Sequence, residues 1–288
     1  MIHHTKKMMK PVKLEQFSAM NMIFNRHSFE YFLNSLERLQ IKNFELWTGA
    51  PHLCNFIKSL SDAEKVRKEV EKRGMKIVCV TPEQVMYPHN IAAANAELRS
   101  MSLDYFLKYI DQTAELGADK MLCCAGWGNY DEDKEEAWKR SVESLQVMTE
   151  HARKAGIILA FEILCPYESN LVNNFHSTKR MMEEIKSSAF QLCIDTVPVR
   201  LGGNTLEEFF DEFGERICHV HLTDGNPTGH VPCGTGSHPI DHYLKVLSDY
   251  EYQGFITLEI GDTFWSTKPY EATETGFNTV KKYLKQQI

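Results

Sequence analysis

Four side chains able to hold a cation stand at the ends of four consecutive β-like runs: Glu162, Asp195, His221 and Glu259. The runs cover residues 156–162, 190–195, 216–221 and 254–260, and each is a short apolar stretch of β-branched and aromatic type. Burying three carboxylates and an imidazole costs free energy unless something pairs with them. A guanidinium could do so, and Arg200 and Arg216 are the main candidates. A divalent cation would satisfy all four groups at once. Side chains alternate between the faces of a strand. His219 and His221 therefore share one face, with Val220 and Leu222 on the other. The same parity separates Glu162 from Phe161 and Ile163, Asp195 from Ile194, and Glu259 from Leu258 and Ile260. If the apolar face packs on helices, four ligands converge at the strand ends. His221 lies nearer the end and His219 deeper, where a hydrogen-bonded core histidine is expected. Three carboxylates and one imidazole form a hard, oxygen-rich set. It favours Mn²⁺, with Mg²⁺, Co²⁺ and Zn²⁺ compatible.

The elements that must position these groups alternate along the chain. Strands are expected at 13–18, 43–47, 76–80 and 120–124, followed by the four runs above. Amphipathic helical stretches fill 28–40, 61–73, 97–116, 134–155, 177–187, 205–213, 241–249 and 270–286. Ser61 and Glu64 have the spacing of a capping box. Gly74, Gly117 and Gly156 each stand between a helix and the next strand, where a left-handed C-cap is expected. Strand–helix alternation with short connections implies a parallel sheet. Eight such repeats imply closure into a single (β/α)8 TIM barrel, residues 12–288, behind a flexible tail of residues 1–11. The long connections after strands three, four, five and seven leave the C-terminal ends of strands, where barrels carry their chemistry. No G-x-G-x-x-G follows the first strand, so a dinucleotide fold lacks its signature.

The 288 residues carry a formal net charge of −7, which argues against a nucleic-acid partner. No apolar run approaches the roughly 18 residues that would suggest a membrane span. The start lacks the apolar core of a secretory signal, which makes the cytoplasm the expected location. None of the 8 cysteines forms a C-x-x-C pair, and several lie within apolar runs, as buried reduced thiols do.

The quartet Glu162, Asp195, His221 and Glu259 resembles the metal site of the xylose-isomerase-like sugar isomerase and epimerase barrels, above all the ketose 3-epimerases. The likeness extends over nearly the whole chain from about residue 14. Residues 45–52, 81–83, Tyr87-Pro88 and 166–170 look most like fructoselysine 3-epimerase. So does the stretch 219–224, followed by His230 and Gly234-Thr235-Gly236. The resemblance implies a metal-dependent enzyme acting on a small-molecule sugar. The ion polarises the C2 carbonyl and acidifies the C3 proton. Glu162 and Glu259 stand on opposite sides of C3, one removing the proton to give a cis-enediolate and the other returning one. Glu168 and His230 are implied as substrate contacts, with Trp47, His52 and Tyr87 as further pocket residues. The resemblance also implies a homo-oligomer. Two positions depart from many relatives: Pro198 replaces a histidine three residues after the metal aspartate, and Thr235 stands where glutamate is common.

Other functions share parts of the pattern. Aldose–ketose isomerisation uses the same metal and enediol logic. A non-catalytic sugar-binding barrel would need only the pocket, and an intact Glu162/Glu259 pair argues against it. An apurinic-site DNA endonuclease would need further histidines from earlier strands. Strands three and four instead end in Val80-Thr81 and Cys123-Cys124.

Overall fold

The computed structural model describes residues 11–85 and 88–286. All but Pro11 of the expected tail, and Tyr87, lie outside the described residues. The strands are β1 (Phe17–Met20), β2 (Asn43–Thr48), β3 (Lys76–Pro82), β4 (Lys120–Cys123), β5 (Ile158–Glu162), β6 (Phe190–Asp195), β7 (Ile217–His221) and β8 (Phe255–Leu258). They close in sequence order into a parallel barrel, with β1 paired to both β2 and β8. Around it run α1 (Phe29–Leu39), α2 (Ala63–Lys72), α3 (Ala96–Glu115), α4 (Lys134–Ala155), α5 (Phe175–Glu184), α6 (Thr196–Leu201), α7 (Leu206–Phe213), α8 (Ile240–Asp249) and α9 (Pro269–Gln286). The expected (β/α)8 architecture is the observed one.

Local chemistry explains the boundaries. Ser28 caps α1 by accepting from Tyr31 N, and the helix buries Phe32, Leu33, Leu36 and Leu39 on one stripe. Each such side chain contributes roughly 1.5–3 kcal/mol when fully buried. Gly156 ends α4 at φ 71°, in the left-handed region, and its N–H returns to Ala152 O and Arg153 O. Gly74 and Gly117 are likewise left-handed, at φ 63° and 74°.

Three local expectations are corrected. The first strand begins four residues late, because Leu14–Gln16 forms a 3-10 turn in which Gln16 Oε1 accepts from Lys13 N. The cap of α2 is Asp62, whose carboxylate accepts from Lys65 N at 2.9 Å; Ser61 instead donates to Lys58 O. The short helix α6 was not expected from periodicity. It starts on Asp195, whose Oδ1 accepts from Val197 N at 2.8 Å.

Two apolar layers result from strand parity. Phe44, Leu46, Val80, Met121, Phe161, Leu192, Ile194, Val220, Ile256 and Leu258 join the main core under the helices. Cys79, Leu122, Ala160 and Cys193, joined by Cys218, form a separate small cluster. The interior above that cluster is polar, and there the site is built.

Candidate metal centre and active site

The ends of β5 to β8 bring Glu162, Asp195, His221 and Glu259 together, with one ligand atom from each within 4.8 Å of the others. Asp195 pairs in register with His221, and His221 with Thr257, two residues before Glu259. Neither arginine competes. Arg216 donates to Met182 O and Arg200 to Ser237 O.

His221 is fully buried, and its two ring nitrogens face different partners. Nδ1 lies 2.7 Å from Glu162 Oε1 and 3.0 Å from Glu259 Oε2. Neither approach has hydrogen-bond geometry: Nδ1 and Glu259 Oε2 are buried polar atoms without a hydrogen-bond partner. Nε2 lies 3.1 Å from Glu45 Oε2. Three ligand atoms crowding one point without hydrogen-bond geometry are what a cation's ligand sphere provides. The donor set therefore fits a divalent ion.

The charges agree. Burial pushes the Glu162 carboxyl up to about 8, and nearby Glu259 and Asp195 push the same way against His221. Burial opposes charge on His221, but Cys193 and the carboxylates of Glu45, Glu259 and Glu162 outweigh it and hold the imidazole well above its usual range. The cluster is thus short of positive charge, which a dication would supply.

A cavity of about 310 Å³ opens above the quartet, lined among others by Trp47, Glu83, Glu168 and His230. That is within the size range of small-ligand sites. A larger cleft of about 850 Å³ lies outside the barrel between α1 and α2 and holds none of the quartet. His230 Nε2 donates to Asp195 Oδ2 at 2.9 Å. Burial works against its charge, but Asp195 and Glu259 raise its pKa to about 10. Glu168 Oε2 accepts from Cys165 N, and burial raises this carboxyl too.

Not every expected residue reaches the cavity. His52 lines the cleft between α1 and α2 instead, buried with both ring nitrogens used: Nδ1 accepts from Asn21 Nδ2 at 2.7 Å, and Nε2 donates to His27 O at 2.9 Å. Its place is structural, because the loop after β2 turns it back toward α1. Thr235 closes its own turn, donating to Pro232 O, and Pro198 lies buried in α6. The loop carrying His230 is held by Asp224, whose carboxylate accepts from the backbone N–H groups of Gly225, Gly234, Gly236 and His238. Glu45 is the group that strand reading passed over. It is fully buried on β2 and contacts both His219 and His221. An acid sharing the inward face of a buried strand with Trp47 was the available signal.

The family model for xylose isomerase-like TIM barrels matches residues 34–283. The chain belongs to this family. Among its relatives is a fructoselysine 3-epimerase of Shigella flexneri, 26% identical over 238 residues, which are 82% of this chain and 86% of that protein. A solved structure of L-ribulose 3-epimerase superposes with a TM-score of 0.79 at 18% identity, covering 94% of each chain. The IolI protein, solved with a bound zinc atom, superposes at 0.78 and 16% identity, over 94% of this chain and 99% of that one. At such identities the two structures speak for the fold. The relatives named as 3-epimerases are enzymes of the isomerase class. Among the described residues, no helix is long and apolar enough to cross a membrane.

Proposed function

We propose that the protein is a metal-dependent 3-epimerase of a ketose or ketosamine, with Glu162 and Glu259 as its acid and base. The observation that carries this reading is the placement of both glutamates against one face of His221, 2.7 and 3.0 Å from Nδ1, on the floor of a sugar-sized cavity. Glu162, Asp195, His221 and Glu259 would hold the ion, for which the oxygen-rich set favours Mn²⁺. When bound, a divalent ion would lower the pKa of the C3 proton by polarising the C2 carbonyl oxygen.

The protein's own groups do the rest. Glu162 and Glu259 come from β5 and from the end of β8, so they approach a bound sugar from different sides. One carboxylate takes the C3 proton, and the enediolate receives a proton on its other face from the second carboxyl group. His230 orients Asp195 and leaves its ring edge toward the cavity. Trp47 walls one side.

The lining also bears on the substrate. Glu83, Glu162, Glu168, Asp195 and Glu259 line the cavity, and among the described residues His230 is the one basic side chain there. Even with a dication the wall stays acidic, which supports a neutral or cationic sugar over a phosphorylated one. A ketosamine fits, because its protonated secondary amine sits one carbon from the ketone. Fructoselysine-like compounds are the first to test.

A panel of ketoses and ketosamines, incubated with the Mn²⁺-loaded protein in D₂O, tests this by NMR. Deuterium should enter C3 with inversion. Label at C1 or C2 without inversion would make the protein an aldose–ketose isomerase instead. No exchange into any substrate that binds the cavity would refute catalysis by the glutamate pair.

A further inference from the structure

The deepest polar layer of the barrel does more than fill space. Glu45 projects from β2 into the interior with no solvent exposure. Four side chains converge on its carboxylate. Thr81 donates to Oε1, and Thr257 donates to Oε2 at 2.7 Å. His219 Nε2 lies 2.7 Å from Oε2, and His221 Nε2 lies 3.1 and 3.2 Å from the two oxygens. Ser18 completes the layer, 2.8 Å from Thr257 Oγ1. These donors come from β3, β7 and β8, so the group ties distant strands across the barrel axis.

Glu45, Cys79 and His219 also bring ligand atoms within 4.8 Å of one another. A second ion is not what this trio is built for. Both Glu45 oxygens already accept from side-chain donors, and burial holds the Cys79 thiol well above its usual range, protonated.

We propose that Glu45 is the positioning residue of the metal-binding imidazole. By accepting the Nε2–H of His221, it fixes that ring as the tautomer whose Nδ1 lone pair faces Glu162 and Glu259. His219, Thr81 and Thr257 hold Glu45 in that place. An imidazole that ligates a cation keeps one proton, so pinning that proton on Nε2 leaves Nδ1 to the ion. A carboxylate behind a ligand histidine also makes the ligand more basic. His219, although two residues from His221 on the same face, thereby acts through Glu45 and does not ligate. The inference rests on the metal reading above, but it concerns a residue outside the quartet.

Two measurements test it on the full-length chain. In the first, Mn²⁺ affinity of metal-stripped protein is read by competition with a chromogenic chelator. Glu45→Gln keeps the shape but removes the charge, and it should weaken binding about 10–100-fold, as loss of such a supporting carboxylate typically does. In the second, wild-type protein loaded with diamagnetic Zn²⁺ is examined by long-range ¹H–¹⁵N NMR. The His221 ring should carry its proton on Nε2 and its metal shift on Nδ1. This readout needs no variant, so it decides even if Glu45→Gln fails to fold. A folded Glu45→Gln that binds Mn²⁺ less than about tenfold more weakly than wild type overturns the inference alone. So does a proton on Nδ1. Wild-type protein that takes up no divalent ion overturns the metal reading and this inference together.

Discussion

Replacing Glu162 or Glu259 by Gln separates the two duties assigned to these groups. Gln keeps the volume but cannot accept the C3 proton at neutral pH. Loss of a general acid or base costs typically about 10²–10⁴-fold in rate, or roughly 2.7–5.4 kcal/mol of barrier. Each group also lies beside the Nδ1 atom of His221, at 2.7 Å for Glu162 and 3.0 Å for Glu259, so ion affinity should fall as well. The rate loss under limiting metal should therefore exceed that under saturating metal. The deciding assay is hydrogen exchange at C3 under saturating Mn²⁺, run on each epimer separately. A variant that retains Glu259 should exchange the proton of the epimer whose C3–H faces Glu259, and should not convert it. The variant that retains Glu162 should show the opposite preference. Both variants should remain folded, because the two positions lie at the cavity and neither belongs to the main apolar core. If either variant, shown to hold a full complement of metal, epimerises near the wild-type rate, the two-carboxylate mechanism is wrong. If both exchange the same epimer, the opposite-face placement is wrong.

Further outcomes follow from other parts of the structure. His221→Ala should lower Mn²⁺ affinity more than about 100-fold, beyond the range for a supporting residue. His219→Ala should mainly lower the melting temperature, since it strips a buried donor from Glu45 and Thr257 at a cost of about 1–3 kcal/mol or more; equal metal loss in both would show that His219 also ligates. Asp224→Ala leaves four backbone N–H groups without their acceptor and should lower stability by several kcal/mol, on the order of 1–3 for each that finds no water. Denaturant unfolding measures it, and a loss under about 1 kcal/mol would show that the loop is held otherwise. His52 is kept neutral chiefly by burial, with its pKa lowered from the usual 6.5. A lowered pKa contributes stability above pH 6.5 that is lost as the pH falls toward the folded value. His52→Gln should thus flatten the decline of the melting temperature below pH 6.5; an unchanged slope would assign the acid sensitivity to other groups.

Much of this protein was legible in its residues one strand at a time. Alternating periodicities and left-handed glycines marked the repeats, and closure followed from their number. Parity sorted Glu162, Asp195, His221 and Glu259 from their apolar neighbours, because a β-strand has only two faces and one of them must meet helices. The same rule placed His219 below His221. What no single strand contained was the pairing across the barrel. Glu45 and His221 are 176 positions apart, and only the curvature of the closed sheet brings β2 opposite β7. His52 failed for the related reason that loop direction is set by contacts with α1 and Asn21, which periodicity does not encode. Inward or outward is a property of the local backbone, legible in the sequence. Which inward groups meet is a property of the closed barrel, and the tertiary structure alone decided it.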